Sequence, residues 1–263
     1  MKLIQSRQNA QLKQWWRIAQ GKDKTSCLLE GIHLCQAYVQ HYGQPQWLLL
    51  NQAHYHETQI AQLIQQLQAL QMSEQQMVLL PEPLFKQLCT VPSPQGIAFV
   101  IATPQISLHP DINETCLLLD RIQDPGNLGT ILRTAAAVDI KHVLLSKGTV
   151  NAWSAKVLRS AQGAHFVLNI YSQIDLVAWC QNSQLAIYAS TLDQDSVDLY
   201  KAKLAHPCAW LFGNEGQGLD PHLQTLAQQK VFIPQSRQVE SLNVAIASAV
   251  ILFEQRRQQL LTQ

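Results

Sequence analysis

The chain has 263 residues, of which 47% are hydrophobic and 14% are charged, and its formal net charge is +1. This length can bury one large core or two smaller ones, and it favours two domains. The near-neutral balance gives no global sign of a nucleic-acid partner. No signal-like N-terminal core and no apolar run long enough for a bilayer is present, so we predict a cytoplasmic protein with no membrane partner.

The lead segment, residues 1–30, is more basic than the rest of the chain. It holds six lysines and arginines against two acidic residues, which is a local charge of +4. Together with Trp15 and Trp16, such a segment can contact RNA. The same composition is typical of an amphipathic, partly solvated helix, and both interpretations stay open.

The first hundred residues alternate apolar runs with segments of helical period. Strands are predicted at residues 26–29, 47–50, 77–80 and 96–101, and helices at 32–41, 58–70 and 83–88. Strands that alternate with helices in this way predict a small α/β sandwich. The polar, proline-marked segment 103–111 is predicted to be the linker to a second domain.

The second half restarts the alternation. Strands are predicted at residues 116–119, 142–145, 166–170 and 185–189, from residue 208, and again up to residue 233; helices are predicted at 130–138, 155–161 and 174–180, with an apolar helix at the end. This order predicts a mostly parallel sheet with helices on both faces.

Six cysteines, at positions 27, 35, 89, 116, 180 and 208, show neither CxxC nor Cys/His ligand spacing. Cys27, Cys116 and Cys208 lie in or beside apolar runs, where a thiol behaves as a small core residue. The sequence therefore predicts no disulfide framework and no metal site.

The first of three polar loops is Asp-Pro-Gly-Asn-Leu-Gly at residues 124–129. It contains strong turn residues, and Asn127 can cap the helix that follows. Turn chemistry does not account for Arg133, which follows two apolar residues in an alanine-rich helix. We interpret Arg133 as pointing back toward the loop end of the sheet.

The second loop, Phe-Gly-Asn-Glu-Gly-Gln-Gly-Leu at residues 212–219, lacks the dinucleotide fingerprint GxGxxG and any phosphate-binding GK[ST]. Its glycines permit close backbone approach to a ligand or simply a sharp turn. The third loop follows Ile233-Pro234 and leads to Ser241 and Asn243, where Ser241 can cap the last helix. Because all three loops follow predicted strands, we interpret them as one ligand site.

These loops also resemble a known family. The segments NLGTILRTA (127–135), FGNEGQGL (212–219), and Ile233-Pro234 with SLNVA (241–245) resemble, in order, the three motifs of the SpoU (TrmH-like) branch of the SPOUT RNA methyltransferases. LRSAQGAHF at 158–166 is similar to the family's intermediate segment. In the first half, LLEGIHL (28–34) and SPQGIAFV (93–100) resemble the family's RNA substrate-binding domain of the ribosomal-protein L30 type.

The resemblance implies an α/β protein with two domains. Residues 1–105 would form the L30-type domain that binds RNA, and residues 112–263 a parallel-sheet SPOUT domain whose C-terminal segment is threaded into a deep trefoil knot. It further implies a homodimer, S-adenosylmethionine (SAM) as cofactor, and no metal.

The resemblance also assigns roles to residues. Gly213, Ile233 and Leu242, with Gly218 and Leu219 of the same motif, would bind SAM. The catalytic side would comprise Asn127, Arg133, Glu215, Ser241 and Asn243. Our hypothesis is that Arg133 binds a backbone phosphate and stabilises the alkoxide that develops on the attacking hydroxyl.

The implied reaction is methyl transfer to a ribose 2′-hydroxyl, with ribosomal RNA as the leading substrate. Two alternatives stay open. One is the same reaction on transfer RNA, and the other is a non-catalytic ribosome-assembly factor that binds RNA and retains SAM. The missing GxGxxG argues against a Rossmann oxidoreductase.

Overall fold

The computed structural model describes residues 1–108, 112–236 and 238–262, which fall into two units. The first unit comprises Met1–Gln105 and Trp153–Phe166, and the second comprises Ile106–Ala152 and Val167–Gln263. Residues 153–166 thus belong to the first unit, whereas the prediction had placed them in a domain spanning 112–263. Part of the predicted linker, residues 109–111, lies outside the described residues.

The first unit contains the strands and helices predicted from residue 26 onward, and also a short strand and a helix in the lead segment. In chain order they are β1 (Lys2–Leu3), α1 (Ala10–Ala19), β2 (Ser26–Glu30), α2 (Ile32–Tyr42), β3 (Trp47–Asn51), α3 (Thr58–Ala69), β4 (Met77–Leu80), α4 (Glu82–Leu88) and β5 (Ile97–Ala102). The strands form one sheet in the order β1-β4-β3-β5-β2. β5 runs antiparallel to both of its neighbours, and β1, β4 and β3 run parallel.

The remaining elements begin with β6 (Cys116–Leu119), α5 (Pro125–Ala137), β7 (His142–Ser146), α6 (Ala155–Ala161), β8 (Asn169–Ile174), α7 (Leu176–Asn182) and β9 (Ala186–Ser190). They continue with β10 (Val197–Asp198), β11 (Cys208–Phe212), α8 (Pro221–Leu226), β12 (Gln229–Phe232) and α9 (Val244–Thr262). α6 belongs to the first unit. The seven strands form a parallel sheet in the order β10-β12-β9-β11-β6-β7-β8. The predicted α/β fold with a parallel C-terminal sheet is confirmed.

Two predicted elements differ from the structure by three or more residues. The strand predicted at 166–170 begins only at Asn169, because Ala164–Phe166 forms a 3-10 turn and Phe166 packs edge-on against Tyr38, with ring centroids 5.6 Å apart. The helix predicted at 130–138 starts five residues earlier, at Pro125. Its N-cap is Asp124, whose side chain accepts a hydrogen bond from the Asn127 amide at 2.8 Å. Asn127 is therefore not the cap, and a proline is well tolerated at the first helical position.

The lead segment contributes a helix to the core of the first unit. Trp15 is only 1% exposed and packs in a cluster with Leu12 and Ile18, so its ring is not available for base stacking. Cys27, Cys116 and Cys208 are buried, as predicted, and burial raises the pKa of Cys208 to about 12. Across the described part of the chain, every helix is too short or too polar to cross a membrane.

Candidate cofactor-binding and catalytic site

A pocket lies at the carboxyl edge of the parallel sheet. Because β9, β11 and β12 run parallel, the segments that follow them emerge at this same edge. Residues within 190–193, 212–219 and 232–247 line a cavity of about 580 Å³. Ligands of open α/β sheets bind at this edge, and the volume is typical of a small-molecule site.

The loop after β11, residues 213–219, is hereafter called the glycine loop. Asn214 and Gly218 exchange backbone hydrogen bonds of 3.0 and 2.9 Å, which closes the loop. A Cβ at Gly213 would lie 2.2 Å from the backbone nitrogen of Leu219, and Gly218 has a φ of +69°. Both positions therefore need glycine, for close approach and for left-handed backbone respectively.

Three polar side chains from distant parts of the chain form one chain of hydrogen bonds. The Asn127 Nδ2 group donates to Glu215 Oε1 at 3.0 Å, and Asn243 Nδ2 donates to Asn127 Oδ1 at 2.9 Å. Asn127 thereby uses its amide as donor on one side and acceptor on the other, which determines its orientation. The loops that contain these residues converge at one place.

Glu215 also accepts hydrogen bonds from the backbone. The amides of Gln123 and Asp124 donate to its two carboxylate oxygens, each at 3.1 Å. Burial raises the pKa of Glu215, but the hydrogen bonds from Asn127 and from the backbone amides outweigh burial and leave this pKa below its ordinary value. Glu215 is thus a carboxylate at neutral pH, and it holds the start of α5 against the glycine loop.

Asn243 is the N-cap of α9, a role that the sequence analysis had given to Ser241. The Asn243 Oδ1 atom accepts from the amides of Ala245 at 2.9 Å and Ile246 at 3.3 Å. Ser241 is two residues too early to reach these amides, and it is an exposed residue of the pocket wall. Asn243 therefore links the start of the last helix to Asn127.

The predicted cofactor residues lie together in the pocket wall. Gly213, Gly218, Leu219, Ile233 and Leu242 all line the cavity. Leu219 and Ile233 are buried, Leu242 is half-buried, and the three side chains add apolar surface to the pocket wall. This combination of apolar wall and backbone polar groups suits a ligand with an aromatic and a zwitterionic part.

Arg133 is placed differently from the other predicted site residues. It is the ninth residue of α5, not one in the first turn, because the helix begins at Pro125. Its side chain is exposed, and the pocket wall, as the described residues define it, does not include it. The structure therefore does not bring Arg133 into the pocket of its own chain.

Two residues that the sequence did not mark as site residues lie beside the glycine loop: Arg121 contacts the loop itself, and Asp120 contacts the residue that follows it. Asp120 is 4% exposed, and its Oδ2 accepts a hydrogen bond from the Asp220 amide at 3.1 Å. Arg121 Nη1 donates to Gln217 Oε1 at 3.2 Å. The sequence signal that could have identified these two residues is a charged pair directly after an apolar strand. No group of three or more His, Cys, Asp or Glu suited to a metal occurs in the described ranges.

An α/β protein with a parallel sheet, a glycine-closed pocket at its carboxyl edge and a linked carboxylate–amide chain is of the class that binds a small-molecule cofactor there. Residues 114–253 match the model of the SpoU rRNA Methylase family. The chain belongs to this family, which confirms the resemblance of its three motifs.

Individual relatives extend the similarity to nearly the whole chain. The chain is 32% identical over 264 residues to 23S rRNA (guanosine(2553)-2′-O)-methyltransferase RlmP of Bacillus subtilis (strain 168), covering 97% of this chain and 100% of that protein. The AdoMet-bound rRNA methyltransferase from Sinorhizobium meliloti superposes with a TM-score of 0.83 at 28% identity over 97% of each chain. An RNA 2′-O ribose methyltransferase superposes with a TM-score of 0.81 at 25% identity, covering 98% of this chain and 99% of that one.

Proposed function

We propose that this chain transfers the methyl group of S-adenosylmethionine to a ribose 2′-hydroxyl of ribosomal RNA. As a member of the SpoU rRNA methylase family it is a SAM-dependent RNA methyltransferase, and the relative in Bacillus subtilis is named for 2′-O-methylation of a guanosine in 23S rRNA. The observation that carries the proposal is the convergence of Glu215, Asn127 and Asn243 beside a pocket closed by glycines.

The pocket fits the cofactor. Gly213 and Gly218 line the pocket, Gly218 is exposed, and Leu219, Ile233 and Leu242 supply apolar surface. When bound, SAM supplies a methyl group on a sulfonium that needs no metal to be electrophilic. We assign the cofactor to these residues.

The catalytic side of the site has to make a poor nucleophile reactive. A ribose 2′-hydroxyl must be aligned with the methyl group and must lose its proton during attack. The fixed amide of Asn127 and the exposed hydroxyl of Ser241 are groups that can orient the ribose. Arg133 binds a backbone phosphate of the RNA and stabilises the negative charge that develops on the ribose oxygen.

The first unit contributes RNA contacts in this proposal. Lys2, Arg7, Lys13, Arg17, Lys22 and Lys24 of the lead segment are all exposed. Phosphate contacts from such residues add affinity without reading sequence, so RNA affinity is expected to fall steeply as salt is raised. This binding role rests on exposed charge, since Trp15 is buried.

A second copy of the chain is the proposed protein partner. Ile246, Phe253 and Leu260 of α9 are 53%, 52% and 60% exposed, and their seven-residue spacing places them along one side of the helix. An apolar stripe of this kind is typical of a helix that packs against another chain. Analytical ultracentrifugation should therefore give twice the 29.6 kDa mass of the chain. A single-chain mass at micromolar concentration would rule this partner out.

We also propose that the C-terminal segment of the second unit is threaded into a trefoil knot. Tracing the chain in an experimental density map tests this threading.

Replacing Asn243 tests the hydrogen-bond chain. We expect Asn243→Ala to lower the free energy of unfolding by about 1 kcal/mol through loss of the α9 cap. Methyl transfer should fall further, by roughly tenfold to a hundredfold, because Asn127 loses the partner that orients it. Asn243→Ser is the matched control: serine can cap the helix but is too short to reach Asn127, so stability should recover and activity should not. Equal recovery of both would assign Asn243 a purely structural role.

The function itself is tested by incubating the protein with methyl-labelled SAM and separate fractions of unmodified ribosomal and transfer RNA. The proposal predicts label in ribosomal RNA, at a ribose that becomes resistant to alkaline cleavage. Label in transfer RNA would favour the alternative substrate. Tight SAM binding without labelled RNA would favour the non-catalytic assembly factor.

A further inference from the structure

The two residues that follow β6 contact the glycine loop near its start, in its middle and just beyond its end. At the start of the loop, Asn214 Nδ2 donates to the backbone oxygen of Arg121 at 2.8 Å. In the middle, Gln217 Oε1 accepts from Arg121 Nη1 at 3.2 Å. Just beyond the loop, the Asp220 amide donates to Asp120 Oδ2 at 3.1 Å. Two consecutive residues thus bond to residues on both sides of Glu215.

Asp120 and Arg121 are themselves held in place. The Arg121 guanidinium donates to the Asp120 carboxylate through Nε at 3.1 Å and Nη2 at 2.9 Å. Ser146 Oγ donates to Asp120 at 3.2 Å and accepts the Arg121 amide at 2.8 Å. Arg121 also has a φ of +52°, a left-handed conformation that a non-glycine residue adopts only where its surroundings impose it. The pair is therefore a rigid support.

We infer that Asp120 and Arg121 are positioning residues that hold the glycine loop in the conformation that binds SAM. This inference rests on the proposed function for the identity of the ligand. The loop's own hydrogen bonds join residues within it but do not attach its middle to the sheet. The Arg121–Gln217 bond supplies that attachment on the C-terminal side of Glu215, which is itself held by Asn127 and by the amides of Gln123 and Asp124.

A loop without this attachment would spend only part of its time in the competent conformation. Apparent affinity falls in proportion to that fraction, so the effect should appear in SAM binding and in the mobility of the loop even without ligand. The contribution of Arg121 should also depend on Gln217, because each acts on the loop middle through the other.

The experiment compares Arg121→Ala, Gln217→Ala and the double variant with the unaltered chain. Hydrogen exchange of the Gly216, Gln217 and Gly218 amides is followed without ligand, and calorimetric titration with SAM gives the dissociation constant. We expect Arg121→Ala to weaken binding about tenfold and Gln217→Ala about threefold, with faster amide exchange in both. The double variant should resemble Arg121→Ala alone.

Arg256→Ala is the matched control. Arg256 is 35% exposed against 32% for Arg121, and it too pairs with an aspartate, Asp139, at 2.6 Å. It contacts no part of the glycine loop, so its replacement should leave both readouts unchanged. If Arg121→Ala fails to fold, Arg121→Lys keeps a cation beside Asp120 but cannot also span to Gln217, and it should behave like Gln217→Ala.

Outcomes separate the inference from the proposed function. The positioning role would be overturned if Arg121→Ala and Arg121→Lys left the amide exchange of the loop and the SAM affinity unchanged. It would also be overturned if the double variant lost as much binding free energy as the two single variants added together. Failure of the unaltered chain to bind SAM would instead overturn the proposed function, while faster loop exchange in the variants would still support the attachment itself.

Discussion

Gly213→Ala is expected to abolish SAM binding at concentrations that saturate the unaltered protein, and to lower the free energy of unfolding by about 3 kcal/mol. The added Cβ would lie 2.2 Å from the Leu219 nitrogen, 2.4 Å from the Gly218 carbonyl carbon and 2.5 Å from the Leu219 Cα. All three are backbone atoms, which cannot turn aside as a flexible side chain can. The glycine loop would have to open, and the pocket wall would move with it.

Gly216→Ala is the control within the same loop. A Cβ there would meet only Asn214 Oδ1, at an ordinary contact distance of 3.7 Å. Its SAM affinity should stay within about threefold of the unaltered protein. Calorimetric titration with SAM and thermal unfolding measure the two effects. If Gly213→Ala bound SAM as well as Gly216→Ala, the glycine loop would not form the cofactor site.

Arg133→Ala is expected to reduce the rate of methyl transfer by about a thousandfold while leaving SAM affinity unchanged, because removing a donor to a developing oxyanion has an effect of this size. We expect the rate to change without the SAM affinity because Arg133 is exposed on α5 and lies outside the pocket wall. Single-turnover kinetics with labelled SAM, together with a binding titration, measure both quantities.

Arg133→Lys distinguishes charge from geometry. Lysine retains the cation but not the planar, forked donors, so partial activity is expected if Arg133 holds a phosphate. Arg256→Ala, another arginine of the second unit, should retain full activity. An unchanged rate in Arg133→Ala would remove this residue from the mechanism.

The convergence of the loops was predictable because it follows from chain direction. Apolar runs around Leu118, Ile187 and Leu211 mark buried parallel strands, and parallel strands deliver their following loops to one edge. The residue types Glu215 and Asn243, out of place beside apolar runs, then mark the site. Periodicity and local composition contain this information.

Other features depend on contacts that no local pattern encodes. Ser241 and Asn243 both have capping side chains, and only the position at which α9 begins decides between them. Phe166 lies in a segment whose composition predicts a strand, but it forms part of a 3-10 turn and packs against Tyr38 of the first unit. The support from Arg121 joins residues 96 positions apart in the chain, so it becomes visible only in the folded structure.

Mapping ribose 2′-O-methylation in ribosomal RNA tests the central claim most directly. RNA is compared from cells that make this protein, cells that lack it, and cells that make only its Arg133→Ala form. We expect one ribose that is methylated in RNA from cells that make the protein and unmethylated in RNA from the other two kinds of cell. Identical ribosomal maps in all three would contradict it.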